Sequence, residues 1–201
     1  MSGTRRIDVM VDIETLGNKT NSTIFQIGAI AFDIRTGKPI DKFNRIADIE
    51  ENEQQLQVSA STLKWWLKTN KELFGELLNS GGGSSEGIVL EFNTWLVGLQ
   101  NHYGVDNVYL WGNGILFDNK MLQFHMENLG VHYPIHFRND RDVRTLLELT
   151  SFKTGLSERD IKDAVKDEEL VAHNAYDDVV KQINIAHKCY KVLVEDEPIK
   201  S

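Results

Sequence analysis

The sequence has one cysteine, Cys189, and three prolines in 201 residues. A single thiol cannot close an internal disulfide, so the chain is not a disulfide scaffold, and a reducing, cytoplasmic setting fits it. Cys189 lies in an apparently helical stretch and reads as a structural thiol, the ordinary role of a buried free cysteine. No apolar run approaches the ~20 residues that cross a bilayer, so no membrane partner is expected. The N-terminal run MSGTRRIDVM has two arginines but no long apolar segment and no small-residue cleavage site, and it does not read as a signal peptide. Cations are also scarce: 22 Lys and Arg stand against 30 Asp and Glu, a net charge of −8. That balance argues against a protein that coats duplex nucleic acid through a basic surface. It leaves room for an enzyme that grips a few phosphates through bound cations, because carboxylates that hold them become attractive to phosphate once loaded.

What is present describes a soluble globular chain, with 41% hydrophobic and 26% charged residues. The length suits one domain over residues 1–201. Residues 7–13 and 23–34 are apolar and β-branched, and 40–49 alternates in part. Short turns between them favour antiparallel pairing. The period then changes. VSASTLKWWLKTN predicts a helix capped by Ser59 or Ser61, with Leu63, Trp66 and Leu67 on its apolar side. KELFGELLN predicts a second, and the glycine–serine run at about 79–87 a flexible surface loop. EGIVLEFNTWLVGLQN then reads as a helix, NVYLWGN as a buried strand and LFDNKMLQFHMENLG as a helix stopped by Gly130. YPIHF is a candidate short strand. NDRDVRTLLELT follows as a helix capped by Asn139 or Asp140. The last element is a long helix with Val179, Ile183, Ala186 and Tyr190 on one stripe, and the tail DEPIKS is expected to fray. There is no internal repeat. Together these predict an α/β or α+β chain.

Chemistry concentrates in three places. Asp12 and Glu14 lie two apart at the end of the first strand, so they share a face and repel each other. Asp118, in NGILFD, opens a helix just after a strand. HNAYDD carries His173, Asp177 and Asp178. Each alone is unremarkable: strand ends are often acidic, and a helix dipole favours an aspartate in the first turn. Together, Asp12, Glu14, Asp118 and Asp178 form the oxygen-rich set that hard divalent cations require. Two such ions ~4 Å apart can support in-line phosphoryl displacement. His173 and Asp178 are five apart, so both face one site only if His173 lies in the loop before the helix, with Asn174 as cap. A histidine there suits a general base. His102, His125, His132, His136 and His187 lack a carboxylate at suitable spacing and read as surface or structural.

The ordered motifs VDIET, NGILFD and HNAYDD resemble those of the DEDDh family of 3′–5′ exonucleases, which includes ribonuclease T and oligoribonuclease. LKWWLK and LWGNG are further similar to a phage and prophage DexA-type branch and its bacterial exoribonuclease relatives. The resemblance covers roughly residues 7–194. It implies a ribonuclease H-like fold, a mixed five-stranded sheet whose first three strands are antiparallel. It also implies release of 5′-mononucleotides from the 3′ ends of single-stranded RNA or DNA, with two Mg²⁺ ions as cofactors and Mn²⁺ as a substitute. On these positions Asp12, Glu14, Asp118 and Asp178 would be metal ligands and His173 the base, with Asp177 a neighbour on the helix face. Leu16 and Gly17 would contact the terminal nucleotide. Phe25, Trp65, Trp66 and Tyr176 are candidates for stacking on bases, though Phe25 and Trp66 also lie on apolar stripes. RNA-acting relatives are commonly dimers, which leaves a homodimer open. A different reading is a nucleic-acid-binding or polymerase-associated module that keeps the fold with little activity.

Overall fold

The computed structural model describes residues 6–52 and 55–199. Residues 1–5, half of the run read above for a leader, and 200–201, the end of the tail, lie outside it. The chain forms β1 (Ile7–Thr15), β2 (Ile24–Phe32) and β3 (Pro39–Ile46), then the helices α1 (Ala60–Thr69), α2 (Lys71–Asn79) and α3 (Ser85–Tyr103). β4 (Val108–Gly112), α4 (Asp118–Asn128), β5 (Asp140–Asp142), α5 (Val143–Thr154), α6 (Glu158–Asp163) and α7 (Ala175–Glu195) complete it. The sheet order is β3-β2-β1-β4-β5. β1 pairs antiparallel with β2 and parallel with β4, and β5 lies parallel to β4.

β1 is central and its alternation sorts the two layers. Ile7, Val9, Val11 and Ile13 point to one face, where they meet Ile88, Val89, Phe92 and Leu96 of α3 and Met121, Leu122 and Met126 of α4. Met10 points the other way, toward Val143 and Leu147 of α5 and Val179, Ile183, Ala186 and Cys189 of α7. Each such buried Ile, Leu or Phe contributes ~1.5–3 kcal/mol. Asp8 shares the α7 face and is 1% exposed. It is compensated there: Arg6 donates to it in bidentate fashion, and Trp111 Nε1 donates to Oδ1 at 2.8 Å. A third cluster of Leu16, Phe25, Trp66, Phe74 and Leu77 seats α1 and α2 against the end of β1 and β2.

Several local expectations change. YPIHF is not a strand. Pro134 has no N–H for a ladder, and its carbonyl accepts from Gln100 Nε2 at 2.5 Å. The fifth strand is Asp140–Asp142 instead, so α5 is capped by Asp142, which accepts from the Arg144 N–H at 2.9 Å. Asn139 gives its amide to the Val108 carbonyl, at 3.0 Å. The run at 79–87 is half helical, since α3 begins at Ser85. Its glycines allow close approach: Gly82 N–H donates to Ile46 O, and a Cβ on Gly81 would lie 2.2 Å from the Ala47 backbone. Leu67, expected on the apolar side of α1, is 60% exposed. α6 begins at a capping box on Ser157 and Asp160.

Candidate active site

The acids gather where β1 outruns its neighbour. β1 pairs with β4 only as far as Met10, so the β4-facing edge beyond it is free of strand. Asp118, the first residue of α4, takes up this space and accepts a hydrogen bond from the Ile13 backbone. Gly112 permits the approach, because a Cβ there would stand 2.9 Å from Asn119 Oδ1 and 3.3 Å from Asp118 Oδ2. Asn119 anchors the turn, donating to Asp140 Oδ1 at 2.7 Å.

On the other side of β1, Asp12 stands opposite Gly28 and Glu14 opposite Gln26. These two β2 residues dock the N-terminus of α7. A Cβ at Gly28 would lie 2.6 Å from the backbone of Ala175 and Tyr176, so only glycine lets the helix rest on the strand. Gln26 is fully buried; its Oε1 accepts from the Ala175 N–H at 3.1 Å and its Nε2 donates to Asn174 Oδ1 at 3.3 Å. Asn174 is the cap, accepting from the N–H groups of Tyr176 and Asp177.

His173 therefore lies in the loop, with a left-handed φ of 69°. Its N–H donates to Asp178 Oδ2 at 2.9 Å. That bond joins the base candidate to the ligand candidate in one turn. Trp65 packs edge-to-face on the His173 ring, centroids 4.8 Å apart. Ligand atoms of Glu14, His173 and Asp178 lie within 4.8 Å of one another. Asp177 points elsewhere, accepting from the Val171 N–H at 3.0 Å.

The electrostatics are those of an acid cluster short of cations. Burial first, then Asp118 and Asp178, push the Asp12 carboxyl well above the usual carboxylate range. Glu14 is raised likewise, by burial and then by Asp12, Asp178 and Asp118. Burial lifts Asp118 to about 7. Lys181, 3.0 Å from Asp178 Oδ1, and Gln182, whose Nε2 donates to Asp12 Oδ1 at 2.8 Å, answer these charges in part, as do the backbone of Ile13 and the charge of Arg144 at Asp118 and the His173 N–H at Asp178. Four converging carboxylates that outnumber the cations near them suit divalent metal ions, which favour oxygen ligands. Asp12, Glu14, Asp118 and Asp178 fit that group.

Beside Glu14 lies a cleft of about 410 Å³, lined by Gly17, Asn18, Trp65 and Phe117 among others. Trp65 is 43% exposed there, whereas Phe25 is fully buried and Leu16 is 2% exposed. Stacking by Phe25 is thus corrected: its ring is closed in by Trp66 and Phe74. The Leu16 side chain belongs to the buried cluster of Trp66, which lines the cleft. Trp66 is 1% exposed and cannot stack on a base either. Gln26, Gly28 and Gln182 were absent from the sequence expectations. Their signals existed: a lone glutamine and a glycine inside the apolar run TIFQIGAIAF, and a glutamine four residues after Asp178, on the same helix face.

A family model described as the 3′–5′ exoribonuclease Rv2179c-like domain matches residues 7–190. No curated protein sequence matches the chain. Among solved structures it is similar to cell-death related nuclease 4 (CRN-4), with a TM-score of 0.66, 12% identity, and coverage of 94% of this chain and 65% of that one. It is also similar to exonuclease I of E. coli in complex with a dA16 oligonucleotide (TM-score 0.64, 16% identity, 96% of this chain and 42% of that one). A third likeness is to the nuclease domain of 3′hExo, a DEDDh family member bound to rAMP (TM-score 0.63, 14% identity, 100% and 99%). The chain thus spans less than two thirds of the first two and nearly all of the third. At these identities the likeness is one of fold, the ribonuclease H-like α/β arrangement.

Proposed function

From the premise that this chain belongs to the 3′–5′ exoribonuclease Rv2179c-like domain family, we propose that residues 7–194 form one catalytic domain that trims single-stranded RNA from its 3′ end, releasing 5′-mononucleotides in the cytoplasm. The carrying observation is that Glu14, His173 and Asp178 come within 4.8 Å of one another, that Asp118 and Asp178 act electrostatically on Asp12, and that Glu14 also lines a nucleotide-sized cleft. When bound, two divalent cations, Mg²⁺ or Mn²⁺, would neutralise the phosphate and stabilise charge developing in an in-line displacement. The four carboxylates would hold them. A ring nitrogen of His173 takes the proton of the attacking water. The water oxygen bonds to phosphorus, the bond to the 3′-oxygen of the next nucleotide breaks, that oxygen takes a proton from solvent, and His173 returns its own proton to solvent. Asp178 holds the His173 loop through the backbone, and Trp65 supports the ring. Trp65, Phe117 and Gly17 present the walls for the terminal nucleoside.

The test is hydrolysis of matched 5′-labelled RNA and DNA oligonucleotides with Mg²⁺, read as a product ladder. Stepwise shortening from the 3′ end, faster on RNA, is expected. His173→Ala should lower kcat by ~10²–10⁴-fold, the usual contribution of a general base. A folded, metal-supplied protein that shortens neither strand would overturn the reading and favour a binding module. Sizing by light scattering tells a monomer from the homodimer.

A further inference from the structure

Arg144 stands in the first turn of α5, directly after β5. Its guanidinium lies against Gly114, in the loop that leads from β4 to Asp118. A Cβ on that glycine would meet Cζ at 3.1 Å and both Nη atoms at 3.2 Å. Gly114 also has a φ of 115°, a conformation that suits glycine. Asp142 ties the two segments together, accepting from the Arg144 N–H at 2.9 Å through Oδ1 and from the Ile115 N–H at 3.3 Å through Oδ2. Both of its oxygens thus meet backbone donors, and the guanidinium is left over. The other described arginines are engaged. Arg6, Arg35, Arg45 and Arg159 pair with carboxylates, and Arg138 and Arg141 lie over aromatic rings. Arg144 is exposed, and among the described residues its side chain makes no hydrogen bond, ion pair or ring contact. Burial raises the Asp118 carboxyl, and the charge of Arg144 is among the groups that pull it back. An unpaired cation therefore stands within electrostatic reach of the acids.

We propose that Arg144 receives the phosphate one linkage to the 5′ side of the scissile one, and so fixes where the strand continues beyond the site. The loop supplies the placement. The Phe117 N–H donates to the Gly114 carbonyl at 2.8 Å, closing a turn whose ends lie within ~7 Å of each other. One end, Phe117, lines the cleft for the terminal nucleoside, and the other carries the guanidinium. At ~3.4 Å per nucleotide of a stacked strand, that span is about two nucleotide steps. Arg144 does not line the cleft, so the terminal nucleoside is not its ligand. The first linkage belongs to the carboxylates and the cations they would hold, and the second falls to the guanidinium. Two parallel N–H groups of a guanidinium match two phosphate oxygens, a fork that an ammonium does not offer. This inference rests on the exonuclease reading above.

The experiment measures anisotropy of 5′-labelled adenine RNA pentamers in Ca²⁺, with a methylphosphonate replacing one linkage at a time to remove its charge. The nucleotide on the 5′ side of that linkage is 2′-deoxy in both the modified strand and its phosphodiester control. Neutralising the second linkage from the 3′ end should weaken binding ~10-fold more than neutralising the third or fourth, the effect of losing a hydrogen bond between charged groups. Arg144→Gln should bind the unmodified strand ~10-fold more weakly and make the second linkage indifferent to its charge, while the first stays sensitive. Arg144→Lys should keep part of the discrimination, since it keeps a charge without the fork. Melting curves check both folds. A second linkage no more sensitive than the third and fourth in the unmutated protein overturns the proposal. So does a sensitivity that survives in Arg144→Gln, which places the contact on another residue. Loss of sensitivity at the first linkage alone in that variant also overturns it, and assigns the guanidinium to the scissile phosphate. Hydrolysis of the unmodified pentamer in Mg²⁺ by the unmutated protein reports separately on the exonuclease reading, so the two can fail apart.

Discussion

At the scale of single residues, the site depends on side chains that aim others. Gln182 donates to Asp12 Oδ1 and so fixes which carboxylate oxygen remains free to face a cation. Hydrogen-bond partners that orient ligands are typically worth 10–100-fold in metal affinity. Gln182→Leu should therefore lower Mn²⁺ affinity by ~10–100-fold, read by titration calorimetry, while the circular dichroism spectrum is unchanged. An unaltered isotherm would show that Asp12 needs no such support. Asp8 makes a useful contrast. It lies on the same face of β1 as Asp12, but Arg6 and Trp111 satisfy it, so it is a structural acid. Sequence spacing marked Asp12 and Glu14 as a pair, yet it could not tell which buried acid lacked a counter-charge. Phe25 failed as a stacking residue for the related reason that periodicity does not say which apolar face a third layer covers. Trp65 differs because it lies one helical step from buried Trp66, which leaves it half out in the cleft.

At the scale of elements, α7 matters most because its first turn carries both His173's neighbour Asn174 and Asp178. Its seat is made by β2. Gly28→Ala puts a methyl 2.6 Å from the α7 backbone, and the helix must lift. The expected cost is ~1–3 kcal/mol of stability, as for other overpacked sites. The expected loss of kcat is larger in effect, ~10²-fold, because a 1 Å misplacement of reacting groups can cost that much. Thermal melts and single-turnover rates together check it: a rate near wild type in the folded variant would mean that α7 is not held by this contact. Most long elements were legible, since their apolar periods are strong over many residues. The short ones were not. β5 has three residues, all charged, and exists because it continues the sheet beside β4. No local preference announces such a strand, and the more apolar YPIHF nearby was the wrong segment.

At the scale of the molecule, the acid cluster opposes the fold that holds it. Asp118 ionises at about 7 in the folded protein, against an ordinary value of 3.8, because burial disfavours its charged form. A carboxyl raised in this way supports the fold while protonated, below its ordinary value, and that support is lost as pH rises through about 7. The metal-free protein should therefore lose melting temperature between about pH 4 and pH 7 from this group. Asp118→Asn should be the more stable protein at pH 8 without metal. Divalent cations reverse the opposition: at one hundred times the dissociation constant they add ~2.7 kcal/mol, or ~5–10 °C for a chain of this size. Scanning calorimetry in EDTA and in Mg²⁺ across that pH range tests both signs, and a melting temperature indifferent to Mg²⁺ would argue against a cation site. The sequence by itself determined the class of fold, the central acid-bearing strand and the order of the three motifs, because these depend on residue type and local period. Only the tertiary structure decided that Asp118 fills the edge β1 leaves free, that Gly28 and Gln26 seat α7, and that Phe25 is core while Trp65 is wall. Those outcomes depend on which chain segments meet in space, and contact between distant segments leaves no periodic trace in either one.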